Sequence, residues 1–120
     1  MKQGRKITGG KYKKARKKKF YETPGQKTSV KLGEQKTKTK RKQGGSRKTI
    51  TLSTNIANIT DKKTSKKVKI TNVLETPSNT FLARQNILTK GTIIETEIGK
   101  ARITNRPSQE GNVQCILIKE

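Results

Sequence analysis

Histidine and tryptophan are absent from this 120-residue sequence, cysteine occurs once, and 8 acids face 30 lysines and arginines. Each shortage excludes something. Without histidine the commonest general base is gone, and with a single cysteine so are the usual zinc constellations. The expectation is a chain that is not an enzyme, takes no small-molecule substrate and carries no cofactor or metal. One thiol cannot close an internal disulfide, which suits a reducing compartment. No apolar run approaches the roughly 18 residues that span a bilayer. Met1-Lys2 is followed by no apolar leader segment, so the expectation is a soluble, cytoplasmic protein. Aromatic residues make up 3%, too few for the stacking platforms of single-strand-binding domains.

Apolar residues are also scarce, and unevenly spread. They make up 27% of the chain, against roughly 45–50% in globular domains. Residues 1–48 hold eight of them and residues 49–120 the other 24, so a core can form in the second part and hardly in the first. The length allows one small domain plus extensions. Charge divides at the same place: residues 1–48 carry 19 Lys or Arg against two Glu, a net +17 of the total +22. The predicted organisation is a basic RNA-binding extension over residues 1–48, disordered when free, and a small β domain over residues 49–120. Self-repulsion of this size extends an isolated chain and is relieved by a dense polyanion. Membrane-binding basic segments normally add an apolar face of Trp, Phe or Leu. Here Tyr12, Phe20 and Tyr21 are the only aromatics of the run, so no membrane is expected as partner, and nucleic acid is the better counter-charge.

Along the chain, GRKITGGKYKKARKKKFYE can form a helix between Lys11 and Tyr21, with Gly9-Gly10 breaking it on the N-terminal side. Like charges at Lys13/Lys17 and Lys14/Lys18 oppose that helix in isolation, so it is expected to order only on a ligand. Pro24-Gly25 marks a turn, TSVKL reads as a short strand, and KTKTKRKQGGSRK reads as extended chain. From Thr49 the apolar period falls to two. TITL sets Ile50 and Leu52 on one face, and KKVKITNVLE sets Val68 and Ile70 opposite Lys67, Lys69 and Thr71. TIIETEI, ARIT and VQCILI are further short β-branched runs. Ile98-Gly99-Lys100 is a hairpin signal, and RPSQEG supplies a longer loop, making the last three strands an antiparallel meander. In ETPSNTFLARQNIL, the apolar Phe81, Leu82, Ile87 and Leu88 are expected to plug the core from a turn-rich connection. The fold class predicted is mainly β: a small antiparallel β-barrel or curled sheet, with a long basic, extended or partly helical N-terminal segment.

The two basic blocks carry the functional reading. Double-helical nucleic acid presents about one phosphate charge per 1.7 Å of axis, and neutralising it releases condensed counterions. Candidate contacts in the first block are Arg5, Lys6, Lys11, Lys13, Lys14, Arg16, Lys17, Lys18 and Lys19; in the second they are Lys40, Arg41, Lys42, Arg47 and Lys48. Lysines attract phosphate with little sequence information, and arginines add bidentate geometry and stacking. Gly9, Gly10, Gly44 and Gly45 lack side chains, so a ribose-phosphate chain can approach the backbone closely there. The plainer reading, a solvated tail or targeting signal, sits badly with blocks this dense and long. Arg84 and Arg106 fall at connections of the β region and extend the phosphate-contacting surface, unless Arg106 simply pairs with Glu110 across its loop. Nothing matches a helix-turn-helix, zinc finger or basic zipper. A tail that follows folded phosphate backbone, attached to a small β module, favours structured RNA read by shape. Glu95 and Glu97 would share a strand face, but without histidine or a metal cluster they read as a solvent-facing pair beside Lys100 or Arg102. Cys115, inside VQCILI, reads as a buried structural thiol.

The same residues carry a resemblance. GRKITGG at the start, a basic GGS segment in mid-chain and TKGTIIETEIGKARITNRPSQEG near the end resemble the archaeal and eukaryotic small-subunit ribosomal protein S8e family. Thr89, Lys90, Gly91, Glu95, Thr96, Gly99, Ala101, Thr104, Arg106, Pro107, Gln109 and Gly111 fall on its closing pattern. Ser46 stands where the family often has Asn, and Ser108 where it often has Gly, which touches local loop shape. The long insertion of eukaryotic members is absent, so the archaeal type is the closer likeness. The resemblance implies a structural constituent of the small ribosomal subunit, with a β-barrel core and a basic extension embedded in RNA. Its implied partners are ribosomal RNA of the small subunit and neighbouring ribosomal proteins, and its implied place is the ribosome in the cytoplasm. A ribosome assembly factor on pre-ribosomal RNA is the neighbouring alternative, and a general DNA-compacting protein a more distant one.

Overall fold

The computed structural model describes residues 4–13, 16–60 and 64–118. Among the described residues, nine strands and one short helix follow in chain order: β1 (Val30–Leu32), β2 (Lys36–Arg41), β3 (Arg47–Thr54), β4 (Ile56–Thr60), β5 (Ser65–Glu75), α1 (Thr80–Arg84), β6 (Ile87–Leu88), β7 (Ile93–Thr96), β8 (Gly99–Ile103) and β9 (Gln114–Leu117). Single 3-10 turns lie at Phe20–Glu22 and Gln43–Gly45.

Five strands close into a barrel in the order β4-β5-β7-β8-β9. Four seams are antiparallel. The closing seam, β4 on β9, is parallel, with Asn58 opposite Gln114 and Ile59 opposite Cys115. Alternate side chains point inward: Ala57 and Ile59, Val68 and Ile70, Ile94, Ala101 and Ile103, and Cys115 are all buried. Two alanines among branched aliphatics suit the taper of a small barrel. On β5 the inward positions run 68, 70, 73 because Ile70 faces Thr96 while Asn72 faces Glu95, two residues against one. That is a β-bulge, and it turns Val73 back into the core. The β7–β8–β9 meander forms as expected, with Glu97-Ile98 in a two-residue turn and Thr96 Oγ1 donating to the Gly99 carbonyl at 2.7 Å.

A second sheet, in the order β2-β3-β1-β6, stands beside the barrel. β3 runs into β4 through Asn55, where Thr54 Oγ1 accepts from the Ile56 amide at 3.2 Å. Val30 of β1 and Leu88 of β6 join the barrel residues in one apolar cluster. TSVKL thus supplies a strand, and KTKTKR, read from sequence as extended chain, is the strand β2, paired along its length with β3. β1 and β2 come from residues assigned to the extension, and the strands of the folded unit begin at Val30.

α1 is capped by Asn79, whose Oδ1 accepts from the Phe81 amide at 3.0 Å. It ends where Asn86 takes φ +52, a left-handed position that Asn tolerates. This helix corrects one expectation. Phe81 is 66% exposed and Leu82 only half-buried, neither of them in the core, because α1 packs Ala83 against it instead. Ile87 and Leu88 are buried as expected. Among the described residues between Lys11 and Tyr21 there is no α-helix, only the 3-10 turn beginning at Phe20. Like-charge repulsion along that run is the physical reason. The segment projects from the folded unit: the radius of gyration is 18.8 Å, against about 14 Å for a compact chain of this length.

Candidate nucleic-acid interface

Both glycine pairs sit in tight loops of one kind. In the first, the Lys6 amide donates to the Gly10 carbonyl at 2.9 Å and the Gly9 amide to the Lys6 carbonyl at 2.9 Å. Arg5 and Lys11 form a bridge below it, and Arg5 Nη1 reaches the Gly9 carbonyl at 2.9 Å. In the second, the Lys42 amide donates to the Ser46 carbonyl at 2.7 Å. Each loop is three residues long and needs a left-handed residue to close: Gly9 has φ +80, and Gly44 and Gly45 have +75 and +79. A β-carbon at any of these three would meet nothing within 4 Å. Their φ angles, not crowding, demand glycine, and the open space above them leaves the backbone accessible from outside.

The described residues from 4 to 27 are all exposed. Lys13, Lys17 and Lys18 stand on chain without regular secondary structure; Lys14 lies outside the described residues. Arg16 differs from its neighbours, because Nη1 and Nη2 grip the two Glu22 oxygens at 2.6 and 2.7 Å. Glu22 also accepts from the Lys19 amide at 3.0 Å. The Arg16 guanidinium first, and the Lys19 amide second, hold the Glu22 carboxyl below the usual carboxylate range. Lys6 Nζ lies 5.7 Å from the Tyr12 ring centre and Lys19 Nζ 6.0 Å from that of Tyr21, which steadies exposed rings that bases can also stack on.

The second block forms the β2–β3 hairpin. Lys40 faces Lys48, and Arg41 faces Arg47. Like charges directly opposite on a sheet repel, so the hairpin end concentrates positive charge at a cost in stability. The loop after β8 packs against this hairpin. The Thr51 amide and hydroxyl both donate to the Glu110 carbonyl at 3.0 Å, Lys48 Nζ donates to Gln109 Oε1, and Gly111 lies so close under Thr49 that a β-carbon would sit 3.3 Å from Cγ2. Arg106 therefore stands exposed on a loop fastened to the basic hairpin. It does not pair with Glu110, whose carboxylate accepts from Asn105 Nδ2 at 2.9 Å. Arg84, in the last turn of α1, lies 6.0 Å from the Phe81 ring.

Lys40, Arg41, Lys42, Arg47, Lys48 and the Arg106 loop thus share one end of the second sheet, while Arg5 to Lys19 form a separate group on the arm. Lys27 escaped the sequence reading. It lines a cleft with Lys40 and Lys48, and a solitary lysine in a polar connection gave no signal. Lys36 and Lys38, on the wholly exposed β2, extend the same edge. Elsewhere, Glu95 faces Lys100 across β7–β8, and Glu97 lies in the turn. Burial pushes the Cys115 thiol up to about 12, far from a nucleophile's range.

Similarity to known proteins covers the length of the chain. A family described as Ribosomal protein S8e matches residues 1–118. Small ribosomal subunit protein eS8 of Sulfurisphaera tokodaii is 47% identical over 119 residues, covering 97% of this chain and 93% of the relative. The protein of the same name from Methanococcus aeolicus is 48% identical over 119 residues, with 97% and 93% covered. That from Methanocella arvoryzae is 44% identical over 116 residues, with 95% and 93% covered.

Proposed function

The chain belongs to the ribosomal protein S8e family, and from that membership we propose how it holds ribosomal RNA. It is a structural constituent of the small ribosomal subunit in the cytoplasm, associated with ribosomal RNA and other ribosomal proteins, and not an enzyme. The basic extension, residues 1–48, is the RNA-binding part. Its first stretch threads between RNA segments through Arg5, Lys6, Lys11, Lys13, Lys14, Lys17, Lys18 and Lys19, and takes its order from the phosphates it neutralises. Its last stretch, built into the sheet as β2 and the start of β3, lays Lys40, Arg41, Lys42, Arg47 and Lys48 against the RNA surface. The glycine-tipped loops let the sugar-phosphate chain come close. The barrel fixes where the arm enters, and Arg84 and Arg106 widen the contact.

One observation carries this reading. Residues 4–27 hold ten Lys or Arg and one acid, Glu22, and every described residue among them is exposed. Such a segment gains nothing from burying itself and much from a polyanion. The experiment is sedimentation at low salt: the chain is expected to co-migrate with mature small subunits. Finding it only on precursor particles would assign it to assembly instead, and duplex DNA competing as well as ribosomal RNA would overturn the RNA preference.

A further inference from the structure

Three segments far apart in sequence meet at one cleft: residues 26–28, the β2–β3 hairpin and the loop at residues 106–111. The cleft, about 230 Å³, is lined by Lys27, Lys40, Lys48, Ser108 and Gln109, with the buried Ile50 beneath. Among the described residues its lining offers three ammonium groups and no carboxylate. Lys40 and Lys48 are direct cross-strand neighbours, an arrangement that destabilises a hairpin unless an anion lies between the charges.

The far wall is built to donate as well. Lys48 Nζ donates to Gln109 Oε1, which occupies that oxygen and leaves the Gln109 NH₂ group as a donor, on a lining that Ser108 and its hydroxyl share. The loop presenting them is held by the Gln109 and Glu110 amides on the Arg106 carbonyl, at 2.9 and 3.1 Å, and by the Thr51 amide on Glu110. Residues with ammonium, hydroxyl and amide donors on the lining of one small cleft suit a tetrahedral oxyanion.

We propose that this cleft seats one phosphodiester group of the bound RNA, gripped by Lys27, Lys40 and Lys48 with Ser108 and Gln109. Because Lys27 belongs to the connection by which the arm leaves the folded unit, occupying the seat also fastens the root of the arm. The proposal rests on the ribosomal-RNA reading above, but its first test does not.

That test titrates the full chain with inorganic phosphate, at ionic strength matched with chloride, and follows backbone amide resonances. Saturable shifts are expected at Lys27, Lys48, Ser108 and Gln109, and larger than those at Lys66 and Lys67 on β5. Equal shifts at both places would overturn the seat. The second test compares Lys40→Gln/Lys48→Gln with the charge-matched Lys66→Gln/Lys67→Gln on small-subunit ribosomal RNA. The cleft pair should lose about tenfold more affinity than the control and lower the salt slope by about one. The same variant should melt at a higher temperature when free, since it removes a like-charge pair. Parallel losses in the two variants would sink the seat while leaving the RNA reading intact. Saturable phosphate binding by a chain that ignores ribosomal RNA would instead overturn the phosphodiester and indicate a site for free phosphate.

Discussion

Replacing Lys13, Lys17 and Lys18 together by Gln takes three exposed cations from the arm without touching a strand or either glycine-tipped loop. Outside the Arg16–Glu22 pair, the described arm presents seven cations up to Phe20: Arg5, Lys6, Lys11, Lys13, Lys17, Lys18 and Lys19. Each duplex phosphate neutralised contributes about 0.9 to the slope of log affinity against log salt. Seven contacts contribute about −6 to that slope, a share that lowers affinity by about 10⁴ between about 50 and 200 mM salt. With three removed, this contribution flattens to about −3.6 and its share of the same loss to about 10². The two binding curves should therefore converge as salt rises, with the variant weaker at the low end. Anisotropy titrations against small-subunit ribosomal RNA at several salt concentrations measure this directly. Parallel salt plots would show that the three lysines do not meet phosphate, and a flat plot for the parent would refute phosphate neutralisation by the arm altogether.

Other outcomes follow from single sites. Gly44→Ala should destabilise the hairpin by about 1 kcal/mol, the cost of a β-carbon at positive φ, visible as an earlier urea midpoint; an unchanged midpoint would contradict the loop geometry. Cys115 should resist thiol reagents at pH 8 in native protein and react once denaturant opens the barrel, because burial raises its thiol to about 12; fast native labelling would contradict barrel closure at β9. The Glu22 carboxyl should titrate below the usual carboxylate range, and Arg16→Gln should move it back up, as read by carbon-detected NMR. Since that folded-state value is depressed, the Arg16–Glu22 link is complete above the ordinary carboxylate range and is lost as pH falls through the lowered value. A Glu22 titration unmoved by Arg16→Gln would show the pair is not formed in solution.

The parts of the fold legible in sequence are those where pattern and chain neighbour agree. Val68 and Ile70, the Thr96-to-Gly99 hairpin and the final meander are local features, and period two with a glycine turn is enough to find them. β4 is harder, because IANIT buries Ala57 and Ile59 yet leaves Ile56 40% exposed, so its apolar letters do not alternate cleanly. Its parallel seam with β9 joins residues 58 and 114, and no local pattern encodes such a pairing. β2 buries nothing at all; its place comes from backbone hydrogen bonds to β3, which leave no trace in hydrophobic periodicity. For the same reason charge density located the candidate interface but not its shape. Gly9-Gly10 read as the break before a helix and Gly44-Gly45 as part of an extended run, yet both lie at the closing ends of hairpins. Lys27 became visible only when the fold carried it to Lys40 and Lys48.

The barrel closes and so has no edge, but the second sheet stops at β2, which presents unpaired backbone groups that another strand can join. Lys36, Lys38 and Lys40 stand along that edge, and the pairs Lys40–Lys48 and Arg41–Arg47 stand at its end. A second copy of the chain brings the same charges to the same edge and is repelled, whereas a polyanion brings the opposite charge and is drawn in. A single set of side chains therefore keeps the free protein from pairing edge to edge and selects for an anionic partner. Stability points the same way. A hairpin carrying two like-charged cross-strand pairs is weaker alone than a mixed-charge one, and neutralisation by phosphate returns what the repulsion removed. The four aromatics fit this division too, since none lies in the barrel core and Tyr12, Phe20, Tyr21 and Phe81 are all exposed. The interior is filled by small and branched aliphatics with Cys115 and buried threonines such as Thr76 and Thr92, and the rings are left on the surface.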